Sequence, residues 1–377
     1  MNTILSQTLI TLFLCGDLMT GRGIDQILAH SAPPRLFESY VRDARTYVEI
    51  AEQANGPIPH RVDSTYVWGD ALAALQRRAP AARIVNLETS LTVDGEPWPG
   101  KGIHYRMHPA NTSLLTAAAV DVAVLANNHV LDWGYRGLAE TLDALRRAGV
   151  QSAGAGPTLA EAEAPAVVPV GAGRVLVFAF GAESSGIPSE WKASADGAGV
   201  NLLPDLKERT VAHIGELVRA VKRPGDVAIA SLHWGGNWGY AIPSAQRKFA
   251  HLLIDQAGID LVHGHSSHHP RPIEVYRGKL ILYGCGDLIT DYEGIRGYEA
   301  YRGDLGIMYF PRIDAETGQL VSLEMVPMQM KKFRLNRPSQ PDVQWLRETL
   351  SRESQHQGTR LTSGDGDFLV LQWKKED

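Results

Sequence analysis

The stretch TLITLFLCGD at residues 8–17 decides how this chain is read. It is either the apolar core of a secretion signal or a buried first strand. No basic residue precedes it, and Gly16-Asp17 follows where a small-residue cleavage site would stand. It is also too short to span a bilayer. The reading is therefore a strand over residues 8–15 ending at an aspartate, in a cytoplasmic protein with no transmembrane segment. A near copy of the strand end recurs late in the chain. CGDLMT at residues 15–20 is matched by CGDLIT at 285–290, the second preceded by KLILYG.

Similar apolar, β-branched runs lie between these two copies. They are 83–87 (RIVNL), 121–126 (DVAVLA), 174–180 (RVLVFAF), 226–232 (DVAIASL), 259–263 (IDLVH) and 279–284 (KLILYG). Short continuous runs suit strands buried on both faces. Helical patterns at 137–148, 205–222 and 244–257 alternate with them, which predicts an α/β protein with buried β-sheets flanked by helices. Residues 306–328 read as a β-hairpin turning at DAETG. Beyond them, a helix is expected at 341–353 and a last edge strand at 368–373. The chain is divided into one domain over 1–336 and a C-terminal extension over 337–377 that packs on it.

Composition narrows the function. A net charge of −5 over 377 residues gives no basic surface for a polyanion, so nucleic acid is not expected as a partner. Two cysteines in a chain of this length fit a reducing compartment and leave no disulfide framework. Nothing in the sequence fixes an oligomeric state.

Polar residues repeatedly follow the apolar runs: Gly16-Asp17, Asn86-Leu87-Glu88, Asn127-Asn128-His129, His233-Trp234-Gly235, Gly264-His265 and Gly286-Asp287. Ligands of open α/β sheets bind outside the carboxyl ends of the strands, so these residues are expected along one edge. Asp17, Glu88, Asn128, His233 and His265 supply oxygen and imidazole donors, a set that suits a divalent ion such as Mn, Mg, Ca, Fe or Zn without thiolate. The cluster His263, His265, His268 and His269 points the same way, because metal binding holds crowded imidazoles neutral.

In this order the motifs resemble the calcineurin-like metallophosphoesterase superfamily, and their wording resembles its CapA branch of polyglutamate capsule and cell-wall biosynthesis proteins. The resembling blocks are Asn86-Leu87-Glu88, Ala126 to His129 with Asp132, and His233-Trp234-Gly235, and the likeness covers roughly residues 8–330. It implies a layered calcineurin-like fold and a peptide or polyglutamate-type substrate. The superfamily carries a histidine two residues after the first aspartate; here Met19 stands there. The last block reads Gly264-His265-Ser266-Ser267-His268, with its final histidine displaced by one position. These departures predict one well-held ion rather than two.

The resemblance makes His129 a general acid beside the metal, and Asp132 is placed to fix its tautomer. His265 or His268 can pair with Asp287, so His129, Asp132, His268 and Asp287 are the expected catalytic residues. Lys101, His104 and Arg106 in one polar loop, with Trp234, Trp238 and Tyr292, are expected to line the substrate site. The reaction is read as hydrolysis or Cα epimerisation of a peptide-type chain, as phosphoester hydrolysis, or as no reaction at all in an accessory protein of polyglutamate or polyglutamine synthesis.

Overall fold

The chain builds one sheet, leaves it to build a second, and returns to the first. A computed structural model describes residues 9–366 and 368–374; Thr8, the expected start of the first strand, lies outside the described residues. Strands β1 (Leu9–Leu18), β2 (Ala82–Leu87), β3 (Val122–Val124) and β4 (Gln151–Ala153) pair in parallel. A second sheet follows from β5 (Ala166–Val170), β6 (Gly173–Gly181), β7 (Val227–His233), β8 (Leu261–His265), β9 (Ile273–Tyr276) and β10 (Lys279–Leu282). The return contributes β11 (Asp287–Ile289), β12 (Leu305–Asp314), β13 (Leu320–Lys331), β14 (Arg334–Asn336), β15 (Thr359–Ser363) and β16 (Leu369–Trp373). Spatial order is β15-β16-β13-β12-β1-β2-β3-β4 in the first sheet, with β11 beside β1 and β14 beside β13. In the second sheet it is β9-β10-β8-β7-β6-β5.

Alternation along the second sheet shows how the layers stack. Val175, Val177 and Ala179 of β6, with Val227 and Ile229 of β7, join the core that contains β1, β2 and β3. Their neighbours Leu176, Phe178, Phe180, Ala228, Ala230 and Leu232 point to the opposite face. There they meet Val211, Ile214 and Val218 of helix Glu208–Val221 and Phe249, Ala250 and Leu253 of helix Ser244–Gln256. Both faces of these strands are thus apolar, which explains why they read as continuous runs. No described helix is long and apolar enough to cross a membrane.

The expected strands and the 306–328 hairpin are present, and the hairpin turns where Gly318 N–H donates to Asp314 O at 2.8 Å. Two readings change. Residues 368–373 do not form the edge: β16 pairs with β13 on one side and β15 on the other, and the polar TRLTS of β15 takes the edge. The second CGD copy does not end the KLILYG strand either. β10 stops at Leu282 in the second sheet, and the chain crosses to the first sheet before Asp287 begins β11.

Candidate metal centre

Strand register assembles the site. In the first sheet Asp17 is aligned with Asp287 of β11 on one side and Asn86 of β2 on the other. In the second sheet His233 of β7 is aligned with His265 of β8. The two rows meet at the carboxyl ends of both sheets, and Asp17, Glu88, His233, His265 and Asp287 are all buried.

Asn86 ties the first row together. Its amide donates to Asp17 Oδ1 at 2.7 Å and Glu88 Oε2 at 3.3 Å, and its carbonyl oxygen accepts from Asn127 Nδ2 at 3.0 Å. Ser266 adopts φ 100°, a strained conformation for a non-glycine residue, and points its N–H at Asp17 Oδ2, 3.3 Å away.

The second row has its tautomers set by a chain of partners. Cys15 O can only accept, so His263 Nε2, 2.8 Å away, carries hydrogen. His263 Nδ1 then accepts from Ser231 Oγ at 3.0 Å, which uses the one hydroxyl hydrogen. Ser231 Oγ must therefore accept from His265 Nε2 at 2.9 Å, leaving a bare lone pair on His265 Nδ1. His233 Nε2 lies 3.0 Å from Asn128 Oδ1 and 3.9 Å from Glu88 Oε1, both acceptors, so its Nδ1 is bare as well. These two bare nitrogens sit 2.8 Å apart. Lone pairs converging beside a carboxylate repel unless a cation lies between them.

The donors fall into two groups that share Asp17: Asp17, His233 and His265, and Asp17, His268 and Asp287. In each, the ligand atoms lie within 4.8 Å of one another. Asp287 Oδ2 is buried without a hydrogen-bond partner among the described residues, the signature of a group awaiting a ligand. Burial, then the charge of Asp287, pushes the Asp17 carboxyl up to about 7. Burial, then Asp17, raises Glu88 well above the carboxylate range. Burial holds His233 and His265 well below the usual imidazole range. Neutral imidazoles and crowded carboxylates fit a divalent ion.

One His–Asp pair flanks each side of Asp17. His129 Nδ1 lies 2.6 Å from Asp132 Oδ2, and His129 Nε2 lies 3.8 Å from Glu88 Oε1. A turn makes this pair, since the following helix starts only at Gly134. Lys101 Nζ reaches Asp132 Oδ1 at 2.6 Å and also contacts Asn128 O. Burial lowers His129 to about 4 despite Asp132. On the β11 side, His268 Nδ1 lies 2.9 Å from Asp287 Oδ1, and that carboxylate raises His268 against the effect of burial. Ser267, in the slot of the displaced histidine, donates to His269 O at 2.9 Å within its own loop.

Of the expected substrate residues, Trp238 and Tyr292 line a cavity of about 640 Å³ that opens at His268. Three others are not brought there. Trp234 is buried against Phe249 and Tyr283, its indole N–H donating to Tyr283 O. His104 is buried between Phe37 and Trp133. Arg106 covers the Trp133 ring and donates to Pro33 O. Sequence reading missed Ser231 as the link between two histidines, and missed Arg22 entirely. Arg22 is buried, ion-paired to Glu38 and Asp291, and stacked under Tyr105, whose hydroxyl donates to Tyr292. An isolated arginine in a glycine-rich loop carries no motif signal.

Comparison with known proteins follows the same residues. Residues 11–292 match the family described as bacterial capsule synthesis protein PGA_cap. A probable polyglutamine synthesis accessory protein of Mycobacterium tuberculosis is 51% identical over 364 residues, which cover 96% of each chain. The PGA biosynthesis protein CapA of Bacillus subtilis is 25% identical over 287 residues, covering 76% of this chain and 64% of that one. A crystal structure described as a novel phosphatase of Mycoplasma pneumoniae superposes with a TM-score of 0.49 at 11% identity, covering 88% of this chain and 96% of that chain. So weak a likeness leaves the fold to the strands described above.

Proposed function

The chain belongs to the PGA_cap family of bacterial capsule synthesis proteins, and on that premise we propose a metal-dependent enzyme acting by His/Asp acid–base chemistry on a peptide or polyglutamate-type chain. The observation that carries this reading is the pair of His–Asp couples flanking Asp17. Asp17, His233 and His265 would hold one divalent ion, with Glu88 and Asn128 as adjoining oxygen donors. Such an ion supplies Lewis acidity toward a substrate oxygen. The calcineurin-like arrangement, and the division at residue 336, are part of the same proposal.

The two histidines then differ in role. Asp132 accepts from His129 Nδ1 and burial keeps that imidazole neutral, so His129 Nε2 offers a lone pair and takes a proton, serving as a base where the resemblance implies an acid. Asp287 favours the charged form of His268, which gives one. In epimerisation His129 removes the Cα proton and His268 delivers another to the opposite face. In hydrolysis His129 takes the proton of the attacking water and His268 protonates the leaving amine. Incubation with glutamyl and glutaminyl peptides in heavy water separates these: deuterium at Cα of an unbroken chain shows epimerisation, and cleaved chains show hydrolysis. Neither product from the metal-loaded protein would defeat the reading.

That the Mycobacterium tuberculosis relative is described as an accessory protein favours a second reading in which the site binds without catalysing. A deletion phenotype fully restored by the Asp17→Ala, His233→Ala double variant would select it. Generic phosphodiester hydrolysis lost on His129→Ala would instead select a phosphoesterase.

A further inference from the structure

Two tyrosines stand against the two His–Asp couples. The Tyr105 ring meets His129 edge-on, with centroids 4.6 Å apart at 90°, and the Tyr292 ring meets His268 at 5.4 Å and 82°. Both are fixed from behind. Tyr105 N–H donates to Asp132 Oδ2 at 2.6 Å, and Tyr105 O accepts from the Trp133 indole at 3.1 Å. Tyr292 follows Asp291, which is buried and held by Arg22 Nη2 at 2.5 Å, Arg22 Nε at 3.1 Å and Gly23 N–H at 3.0 Å. The Arg22 guanidinium lies 4.4 Å from the centre of the Tyr105 ring and 5.8 Å from that of Tyr292. The two hydroxyls meet at 3.2 Å. Tyr105 is buried, and the Tyr292 oxygen is the one acceptor its hydroxyl reaches among the described residues, so Tyr105 donates. The Tyr292 hydrogen is left with the Met19 thioether at 3.5 Å, a weak acceptor.

Tyr292 lines the same cavity as His268. A donor held rigid by its neighbours, and poorly satisfied at a cavity wall, is a preorganised site for a better acceptor. We infer that the Tyr292 hydroxyl donates to the carbonyl oxygen of the residue that reacts, with Tyr105 and Arg22 as its positioning residues. The inference rests on the reading that the site acts on a peptide-type chain, and it adds a catalytic residue to that reading. Both reactions place charge on this oxygen. In epimerisation His129 takes the Cα proton, the C–H electron pair forms a bond to the carbonyl carbon, and the carbonyl π pair moves onto oxygen. Delivery of a proton from His268 to Cα reverses that movement. In hydrolysis a water oxygen adds to the carbonyl carbon and the same π pair moves onto oxygen. It returns as the C–N bond breaks and the amine leaves with the His268 proton. The phenol keeps its own proton throughout, and its hydrogen bond strengthens as the charge grows. A carbonyl oxygen has two lone pairs, so this bond leaves the other free for an ion.

The test is infrared difference spectroscopy of the full-length, metal-loaded protein in heavy water. The probes are capped pentaglutamine and capped pentaglutamate with isotope-labelled backbone carbonyls. Bound to the unmodified protein, a probe should show a labelled carbonyl component at lower frequency than in the free peptide. Tyr292→Phe should lose that component while holding peptide affinity within about tenfold. The same band in both proteins, or no binding of either peptide at about millimolar concentration, overturns the inference. Where product forms, Tyr292→Phe should lower kcat about 100-fold with KM within about threefold. Tyr105→Phe, which leaves the donor present but unsupported, should lower kcat about fivefold. Product formed by Tyr292→Phe at an unchanged kcat upholds the catalytic reading and overturns this inference. A band that depends on Tyr292, with no product, upholds the contact between Tyr292 and the chain and counts against catalysis.

Discussion

Two copies of Cys-Gly-Asp lie side by side in parallel strands, Asp17 aligned with Asp287, yet their surroundings give them different tasks. Asp17 is the penultimate residue of a ten-residue strand in the middle of the first sheet and is held by Asn86 and the Ser266 N–H. Asp287 begins a three-residue strand, holds His268 with one oxygen, and leaves the other without a partner among the described residues. Local sequence set the shape of both turns; pairing across the sheet set their chemistry.

The glycines give the largest test of this difference. A Cβ on Gly16 would stand 1.8 Å from Gly286 O, so the two copies fit together only without a side chain there. Gly286 has φ 76°, and its Cβ would meet Pro270 N at 2.7 Å. Gly16→Ala should therefore separate β1 from β11 and cost about 3 kcal/mol or more. Gly286→Ala meets left-handed strain of about 1–2 kcal/mol, plus a milder backbone overlap than at Gly16, 2.7 against 1.8 Å. Denaturant melts that rank the variants the other way would show that the strand pairing does not depend on Gly16.

The aspartates come next. Asp17→Asn should lower affinity for a divalent ion by more than about 100-fold, while Asp287→Asn should keep it within about tenfold and lower turnover instead. Metal analysis and competitive chelator titration read both. Equal loss in the two variants would erase the distinction and make Asp17, His268 and Asp287 a second ion site.

Acidity couples the two copies. With the Asp17 carboxyl raised from 3.8 to about 7, the folded metal-free protein holds a proton that the unfolded chain has lost across that window. Stability from this group is therefore greatest at low pH, falls as pH rises from about 4 to 7, and levels off above. Metal affinity runs oppositely, dropping about tenfold per unit below pH 7 as the proton competes. Asp287 is the second cause of the shift, after burial, so Asp287→Asn should move the midpoint of metal binding to lower pH. A midpoint that stays put would mean the two carboxylates do not interact.

Most of the architecture was legible because both faces of the central strands are apolar, as in RVLVFAF and DVAIASL. The site residues were legible where they directly follow such strands, as Asp17, Glu88 and His233 do. The pairing of β1 with β11 was not, because DLI is too short to show a period and its partner lies 270 residues away. The misplacement of Trp234 has the same root. A residue after a strand can face the site or the outer helices, and one position of register separates His233 from Trp234.

The smallest expected effect compares the two cysteine carbonyls. Cys15 O accepts from His263, which begins the chain through Ser231 to His265. Cys285 O accepts from the Tyr309 hydroxyl at 3.3 Å, a bond separate from the chain of histidines. Ser231→Ala removes two hydrogen bonds, to His263 and His265, and Tyr309→Phe one, each worth about 1 kcal/mol, so Ser231→Ala should melt somewhat lower. Only the first should affect the ion. Without Ser231 Oγ, nothing fixes hydrogen on His265 Nε2, and the proton can move to Nδ1, where it blocks the lone pair. Metal affinity should fall about tenfold in Ser231→Ala and stay unchanged in Tyr309→Phe. Restoration by Ser231→Thr, which keeps the hydroxyl, would tie the loss to the hydrogen bond. Equal metal affinity in the alanine and phenylalanine variants would show that His265 is oriented by packing alone.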